Sequence, residues 1–280
     1  MKVFDCIAHL VTLTMPTSPH LKILRLEVDP DTCEGDYRIL VDGKHIKYIS
    51  VSGGIWSVDD MCFSPVLLPQ LPVFPEGKWN TGHIAMSPET QDPVFSSTTE
   101  EYLPSITTTW HPLNVEYLGL TLGEKLLSNV HEATSPDLGD SVVIAKFADF
   151  HWEIGYYNDE VLAYSWLEDT DIGPKFLGNI TEDGRTIGFL VEKISGRHAE
   201  HADLPLCEEV LSKLHALGIV HNDVNRHNFI ISGDRAWLLD FEMARKTSDE
   251  DLMEREMMGL KGQLNDKSGR GGIVRTLVNT

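Results

Sequence analysis

The chain has 280 residues, and its 43 acidic and 23 basic side chains give a formal net charge of −20. We expect neither nucleic acid nor a membrane surface as a partner, because both are negatively charged and would repel the chain. No apolar run approaches the roughly 20 residues of a membrane-spanning helix, and Asp5 and His9 interrupt the apolar N-terminal stretch, which argues against a signal peptide. Four widely spaced cysteines without a C-x-x-C motif indicate reduced thiols in a cytoplasmic or nuclear protein.

The first part of the chain, residues 1–112, predicts a β-rich extension in which no catalytic motif is found. Asp42-Gly43 supplies the residues of a tight hairpin turn between two apolar runs. Four prolines between 65 and 75 exclude a long helix or a central strand there, and the Ser-, Thr- and Pro-rich residues 86–112 predict a surface loop or linker. Strand-like runs lie at 22–28, 37–41 and 45–51.

From residue 113 onward, the pattern predicts strands and helices in the order β-β-β-α-β-β-α-β-β-α. Apolar residues recur at three- and four-residue spacing in the helices, and Gly218 supplies a helix stop signal. The acidic residues of the last helix, among them Glu254 and Glu256, are expected on a solvated face. The strands are predicted at 116–122, 129–134, 141–147, 175–180, 186–192, 229–231 and 236–240, and the helices at 152–167, 206–217 and 249–264.

The strongest chemical signal lies between His221 and Glu242. Asp223 and Asn228 are five residues apart on a predicted loop, and Asp240 ends a predicted apolar strand. Together they supply oxygen ligands or acceptors of the kind that a nucleotide phosphate with Mg²⁺ and a hydroxyl nucleophile require. Each residue alone is also typical of a turn or a helix cap, so the ordered combination carries the interpretation.

These motifs resemble those of the protein-kinase-like superfamily. The catalytic-loop pattern H-R-D-x-x-x-x-N is matched by His221, Asp223 and Asn228, the D-F-G pattern by Asp240-Phe241, and the lysine of the V-A-I-K pattern by Lys146. The chain is similar to minimal and atypical members, such as aminoglycoside-type phosphotransferases, RIO-type and lipopolysaccharide-type kinases and fungal kinase-like proteins. The similarity covers about residues 116–250.

The resemblance implies an α+β class and a two-lobed protein-kinase-like fold with a reduced C-terminal lobe and a β-rich N-terminal extension. The expected boundary between extension and kinase-like domain falls between residues 112 and 113. Within the kinase-like domain, residues 113–195 would form the N-lobe and residues 196–280 a short C-lobe.

The resemblance also implies roles for particular side chains. Lys146 is expected to contact the α- and β-phosphates of ATP, and an acid on the following helix is expected to orient its ammonium group. Glu160, in the middle of the predicted helix, is the expected partner. Glu153 is the alternative, but it lies at the helix start, where an acid commonly complements the helix dipole.

The same resemblance implies an activity, the transfer of the γ-phosphoryl group of ATP to a hydroxyl group of an unidentified protein or small molecule. Asp223 would accept or orient the proton of that hydroxyl, and Asn228 and Asp240 would hold Mg²⁺. His221 would be structural and anchor the loop. ATP and Mg²⁺ are therefore the implied cofactors.

The segments that would surround the nucleotide match the superfamily less well. The pattern G-x-G-x-x-G-x-V falls on Gly123, Lys125, Ser128 and Val130, so only the first glycine and the valine are kept. Lys125 or Ser128 could supply side-chain donors instead, or this stretch could be an ordinary β-turn. The segment from Glu192 to Ile194 is expected to be the hinge, whose backbone would bind the adenine edge.

Several departures from the superfamily favour an alternative, a catalytically inactive nucleotide-binding pseudokinase or scaffold. Asn222 replaces the arginine that reads a phosphorylated activation loop, and Asn225 stands where many Ser/Thr kinases have a lysine. Glu242 replaces the flexible glycine of D-F-G, where it could add a metal ligand or spoil the site. No A-P-E motif follows Glu242, so a peptide-docking helical lobe is not expected.

Overall fold

The structure, a computed structural model, describes residues 19–139, 141–266 and 268. The N-terminal apolar stretch and the glycine-rich residues 269–272 lie outside the described residues. The architecture is mixed α+β, as predicted, with several sheets and few helices. No described helix is both long enough and apolar enough to cross a membrane.

The chain divides into two compact units, Met1–Tyr102 and Leu103–Thr280. The boundary predicted after residue 112 therefore lies inside the second unit. The reason is that the segment before it packs on elements of that unit: Ile106 N–H donates to the Thr186 carbonyl at 2.9 Å, and the Trp110 indole N–H donates to the Val161 carbonyl at 3.3 Å.

The first unit is built on a five-stranded sheet whose strands are joined in chain order, β1-β2-β3-β4-β5. The hairpin turn predicted at Asp42-Gly43 is confirmed, because Val41 pairs with His45 across it. Buried apolar side chains from the inner strands, including Ile39, Ile49 and Ile84, form the core of the unit. The elements are β1 Leu21–Val28, β2 Gly35–Val41, β3 His45–Val51, α1 Val58–Cys62, α2 Ser64–Leu67, β4 Thr81–Met86 and β5 Pro93–Thr99.

The prediction of a loop throughout residues 86–112 is wrong for β5. This segment pairs antiparallel with β4 at the edge of the sheet, and most of its side chains are exposed. β-branched threonines suit such a half-exposed strand, and Pro93 is tolerated as its first residue at a sheet edge. The proline-rich segment forms only the short helix α2 and a single 3₁₀ turn, as its prolines predicted.

The second unit is built on a six-stranded sheet in the order β6-β10-β11-β9-β8-β7. A three-stranded sheet, β12-β14-β15, and the short pair β13-β16 belong to its later part. The strands are β6 Asn114–Glu116, β7 Thr121–Leu127, β8 Val130–Thr134, β9 Val143–Phe147, β10 Phe176–Glu182, β11 Arg185–Glu192, β12 Arg197–His198, β13 Ile219–Val220, β14 Phe229–Ser232, β15 Arg235–Leu238 and β16 Arg245–Lys246. The helices are α3 Ile154–Trp166, α4 Leu204–Ala216 and α5 Glu250–Asn265.

All three predicted helices of this unit are confirmed, with ends that differ by at most a few residues. The single strand predicted at 116–122 is wrong. β6 pairs parallel with β10, whereas β7 pairs antiparallel with β8, so the chain must change partners between them. It does so through a 3₁₀ turn at Tyr117–Gly119. The two-residue strands β12, β13 and β16 are too short to show a periodic pattern in the sequence.

Gly188 in β11 lies opposite Phe147 of β9, where the neighbouring backbone leaves no room for a side chain. A Cβ atom at this position would lie 2.2 Å from the Lys146 carbonyl oxygen and 2.5 Å from Phe147 Cα. These backbone atoms cannot move away without breaking the strand that carries Lys146. The absence of a side chain at residue 188 therefore helps to set the position of Lys146.

We expect Gly188→Ala to lower the free energy of unfolding by about 3 kcal/mol, because the added methyl group overpacks the sheet. The matched control is Gly123→Ala, whose new Cβ would lie 3.4 Å from Glu132 Cβ, an ordinary contact. That control should change the stability by less than about 0.5 kcal/mol. Urea unfolding measures both, and equal destabilisation by the two variants would contradict the close approach at Gly188.

Candidate active site

The centre of the candidate site is Lys146, which β9 presents between two carboxylates. Its Nζ atom lies 2.6 Å from Oε2 of Glu160 on α3 and 2.8 Å from Oδ1 of Asp240, just after β15. The Glu160 side chain is only 2% exposed, whereas that of Asp240 is 39% exposed. The pairing expected between Lys146 and Glu160 is thus present, and a second, partly exposed acid completes a triad around the ammonium group.

Charge and burial act against each other in this triad. Burial alone would lower the pKa of Lys146, but the carboxylates of Glu160 and Asp240 outweigh it and hold the pKa well above its ordinary value. Burial likewise opposes ionisation of Asp240, yet the ammonium of Lys146 lowers the pKa of this carboxyl overall. For the deeper Glu160, burial raises the pKa to about 7 against the attraction of Lys146. Lys146 therefore stays charged.

Glu153, the alternative partner for Lys146, has a different function in the structure. Its Oε2 accepts the backbone N–H groups of Asp149 and Phe150 at 2.7 and 2.9 Å, and its Oε1 accepts the Asn129 side-chain amide at 2.6 Å. These bonds cap the start of the helical segment, where N–H groups lack partners within the helix. Both carboxylate oxygens of Glu153 are therefore used to stabilise the start of this helical segment.

His221 joins the predicted catalytic loop to the end of β15. Its Nε2 atom lies 2.9 Å from the Leu239 carbonyl oxygen, which can only accept, so Nε2 carries the proton. The Leu239 N–H donates back to the Asn228 carbonyl at 2.9 Å. His221 is fully buried, and burial lowers the pKa of its ring, which favours the neutral form. Leu239 thus hydrogen-bonds to both His221 and Asn228, and it immediately precedes Asp240 in the chain. His221 therefore links the predicted catalytic loop to the segment that carries Asp240.

The carboxylate of Asp223 is oriented by two side-chain amides of its own loop. Asn228 Nδ2 donates to the Asp223 carbonyl at 2.8 Å and to Oδ2 at 3.2 Å. Asn225 Nδ2 donates to the same Oδ2 at 3.2 Å. Asn225, noted in the sequence only for replacing a lysine, thus takes part in fixing the candidate base.

The turn that carries Asp240 is held in an uncommon backbone conformation. Asp240 is left-handed, with φ 65° and ψ 68°, and the next N–H, that of Phe241, donates to Glu160 Oε1 at 3.3 Å. Asp and Asn enter this region more readily than other side chains, although it still carries strain. The buried Phe241 ring packs against Tyr164 and His221 at centroid distances of 5.3 Å. Both the backbone and the ring therefore fix the direction of Asp240.

Glu242 adds a further acid to this place. Burial raises its pKa, and repulsion from Asp240 and Asp223 raises it further, whereas Lys146 lowers it. Four carboxylates, those of Glu160, Asp223, Asp240 and Glu242, thus interact in one region that holds a single ammonium group. Such an excess of negative charge suits a bound cation.

The residues predicted to hold Mg²⁺ fit that ion in their chemistry. Asn228 offers an amide oxygen and Asp240 a carboxylate, and hard oxygen donors of this kind bind Mg²⁺ together with water and substrate phosphates. Across the described ranges, no group of three or more His, Cys, Asp and Glu side chains is arranged to hold a metal by itself.

The strands around Lys146 carry the residues predicted to surround a nucleotide. Val130 in β8 is the register partner of Lys146 in β9, and Glu192 at the end of β11 pairs with Val143. Gly123 lies further along β7 and faces Glu132. Ile194 follows β11 and is partly buried. The structure therefore brings Val130 beside Lys146, while the Lys146 triad itself forms without Gly123, Glu192 or Ile194.

Glu256 on α5 is a site residue that the sequence analysis missed. It was expected on a solvated helix face, which is wrong because its side chain is only 10% exposed. Its Oε1 accepts the Asn222 N–H at 2.6 Å, and its Oε2 accepts the His221 N–H at 3.1 Å and contacts His215 Nε2 at 2.8 Å. Burial opposes its ionisation, but these three donors lower its pKa overall. The acid joins the start of the predicted catalytic loop to α5. No local sequence pattern distinguishes it from Glu254.

We expect Glu256→Gln to lower the free energy of unfolding by about 2 kcal/mol at neutral pH, because one backbone N–H then faces an amide donor. The difference from wild type should shrink as the pH falls below 4.5, the ordinary value for this carboxyl. The wild-type acid has a lowered folded pKa, so its contribution is present above that value and is lost on acidification. Thermal unfolding at several pH values measures this, with Glu254→Gln on the exposed face as the control; a difference independent of pH would contradict these hydrogen bonds of Glu256.

Comparison with known proteins gives only a local match. The chain matches no protein-family model. A stretch of 78 residues, 27% of the chain, is 33% identical to two curated proteins from Methanococcus maripaludis, strains C6 and C5. Each is described as a probable bifunctional tRNA threonylcarbamoyladenosine biosynthesis protein, and the match spans 14% of its length.

Proposed function

We propose that the second unit is an ATP-dependent phosphotransferase with a two-lobed protein-kinase-like fold. In this proposal the six-stranded sheet and α3 form the N-lobe, the chain from residue 196 forms a reduced C-lobe, and the first unit is a β-rich extension. The observation that carries the proposal is the Lys146 ammonium held between Glu160 and Asp240, at 2.6 and 2.8 Å. Residues from three separate elements would converge in this way to bind one polyphosphate.

Lys146 binds phosphate oxygens of ATP in this proposal, and Glu160 holds the ammonium in place from the buried side. Asp223 accepts the proton of the acceptor hydroxyl. Hydrogen bonds from the side-chain amides of Asn225 and Asn228 hold its carboxylate in a fixed orientation for this role. Asn228 and Asp240 hold Mg²⁺, which supplies neutralisation of phosphate charge when it is bound. Phosphoryl transfer depends mainly on positioning and electrostatic stabilisation of the reacting groups. This small set of polar side chains supplies the types of group that both effects require.

The alternative is a catalytically inactive nucleotide-binding scaffold, and Glu242 favours it. Its carboxylate stands where the superfamily has glycine, and it is repelled electrostatically by the carboxylates of Asp240 and Asp223. An acid there can repel the phosphates as well as attract the metal. Asn222 also lacks the positive charge of the arginine that the superfamily has at this position. Its backbone N–H donates to the Glu256 carboxylate.

The names of the two relatives raise tRNA modification as a process in which this chain could act. Their names concern proteins of which the match covers only 14%. A net charge of −20 argues that the present chain does not itself hold RNA. We therefore keep the acceptor as a hydroxyl group of a protein or a small molecule.

The test is to measure ATP·Mg²⁺ binding and phosphoryl transfer on the full chain. Saturating ATP·Mg²⁺, at about a hundred times Kd, should stabilise wild type by roughly 2.7 kcal/mol and raise the melting temperature accordingly. Lys146→Met should lose this shift. Transfer of label from γ-labelled ATP to water or protein would support the enzyme, binding without turnover would support the scaffold, and no binding would overturn both.

A further inference from the structure

A cavity of about 370 Å³ in the second unit lies apart from the Lys146 triad. Its walls come from the end of α3, the turn that follows, the start of β10 and the tryptophans at 110 and 237. Of the residues with predicted site roles, Glu192 lines it, whereas Lys146, Asp223, Asn228 and Asp240 do not. Its volume falls in the range of about 300–1,000 Å³ typical of small-molecule sites.

Four of the residues that line the cavity carry the aromatic ring of a Trp, Tyr or Phe side chain. Trp110 packs on Phe176 at a centroid distance of 4.8 Å, and Tyr164 lies 5.8 Å from the same ring. The Trp110 indole N–H donates to the Val161 carbonyl, which fixes its orientation. Trp237 contributes a fourth ring. Ring faces carry negative charge density and attract cations.

Carboxylates surround these rings. Glu168, Asp169, Asp171 and Glu192 line the cavity, against a single cation in the lining, Lys175. His111 also lines it, and burial lowers the pKa of that ring, with Lys175 acting in the same direction. Even after Arg235, which pairs with Asp171 at 3.3 Å, is counted, the acids outnumber the bases.

Arg235 is a cation that already binds to residues of the cavity wall. Its guanidinium lies 4.5 Å from the centroid of the Trp237 ring while it pairs with Asp171. An aromatic face and a carboxylate thus already bind one cation side by side. Further rings and acids, among them Trp110 and Glu168, line the same cavity.

We propose that this cavity binds a small organic cation, an ammonium or guanidinium group on a short apolar or aromatic stem. The stem packs on the rings and the charge faces the acids at the rim. Phosphate-bearing and other anionic ligands are repelled. The cavity shares Glu192 with the predicted hinge, but its acids and rings are distinct from Lys146, Asp223, Asn228 and Asp240, so the proposal does not depend on phosphotransferase activity.

The experiment compares three probes of nearly equal size on the full chain: benzylamine, benzyl alcohol and benzoate. Calorimetry or ligand-observed NMR should show binding of benzylamine, weakening with salt, at least tenfold weaker binding of benzyl alcohol, and no binding of benzoate. Equal binding of the amine and the alcohol, binding of benzoate, or no binding of the amine would each overturn the proposal.

A charge-matched pair of double variants locates the site. Glu168→Gln with Asp169→Asn should weaken benzylamine about tenfold; both side chains are exposed, and asparagine tolerates the positive φ of 60° at residue 169. Glu250→Gln with Asp251→Asn removes the same charge from the exposed start of α5. An equal loss in both doubles would show a general charge effect and overturn the assignment to this cavity.

Discussion

Asp223→Asn should lower ATP turnover by about 10²–10⁴-fold while leaving ATP·Mg²⁺ binding and the melting temperature nearly unchanged. The substitution removes the group that takes the proton but keeps the shape of the side chain and one oxygen acceptor. The amides of Asn225 and Asn228 can therefore still donate to residue 223, and the loop keeps its anchors through His221 and Glu256. Label transfer from γ-labelled ATP measures turnover, and a melting curve with nucleotide measures binding.

The control for this prediction is Asp234→Asn. Asp234 lies in the exposed turn between β14 and β15, so the same change there should leave turnover unaltered. Turnover that survives Asp223→Asn at the wild-type level would remove Asp223 from the mechanism. A simultaneous loss of nucleotide binding and stability would instead assign Asp223 a structural role.

Lys146→Met should lower the free energy of unfolding by about 3 kcal/mol near pH 8, which corresponds to a melting temperature lower by roughly 5–10 °C. Methionine preserves most of the apolar stem but leaves Glu160 buried without its ammonium partner, with a side chain that is 2% exposed. An unpaired buried charge costs far more than a lost surface pair. Lys213→Met is the matched control, because Lys213 pairs with Glu209 at 2.7 Å on the exposed face of α4.

The loss caused by Lys146→Met should depend on pH in a defined direction. The folded pKa of Glu160 is already raised from 4.5 to about 7, and removal of Lys146 takes away an attraction that lowers it. The folded variant then binds a proton that the unfolded chain releases, so its stability rises as the pH falls from above 7 toward 4.5. Asp240 changes in the same sense, because Lys146 is what lowers its pKa. Denaturant unfolding should therefore show the difference in stability from wild type narrowing toward about pH 5, and a constant difference would contradict a charge-dependent pair at the buried Glu160.

The choice between Glu160 and Glu153 shows what helix position can and cannot predict. Glu153 lies where an acid serves the first turn, and the structure uses it as a cap. Glu160 lies near the middle of α3, on the face that meets β9 and the turn after β15. Position along one helix was enough to rank the two acids, because capping is confined to the first turn and an acid in the middle of the helix has no such local role.

Glu256 shows the opposite case. In the sequence it belongs to an acidic helix and has the same neighbours as several exposed acids. Its burial depends on where α5 packs against α4 and on the loop that begins at His221, and its partners lie 34 to 41 residues earlier in the chain. No periodic pattern encodes such contacts.

The sequence by itself determined the helices α3, α4 and α5, the hairpin at Asp42-Gly43 and the order of the lysine, aspartate and asparagine motifs. These features depend on propensity and on spacing within short windows. The tertiary structure alone decided the edge strand β5, the Lys146–Asp240 pair, the hydrogen bonds of Glu256 and the aromatic cavity beside Glu168. Each of these depends on residues distant in the chain that meet only when sheets and helices pack, and side-chain burial and pairing are properties of that packing.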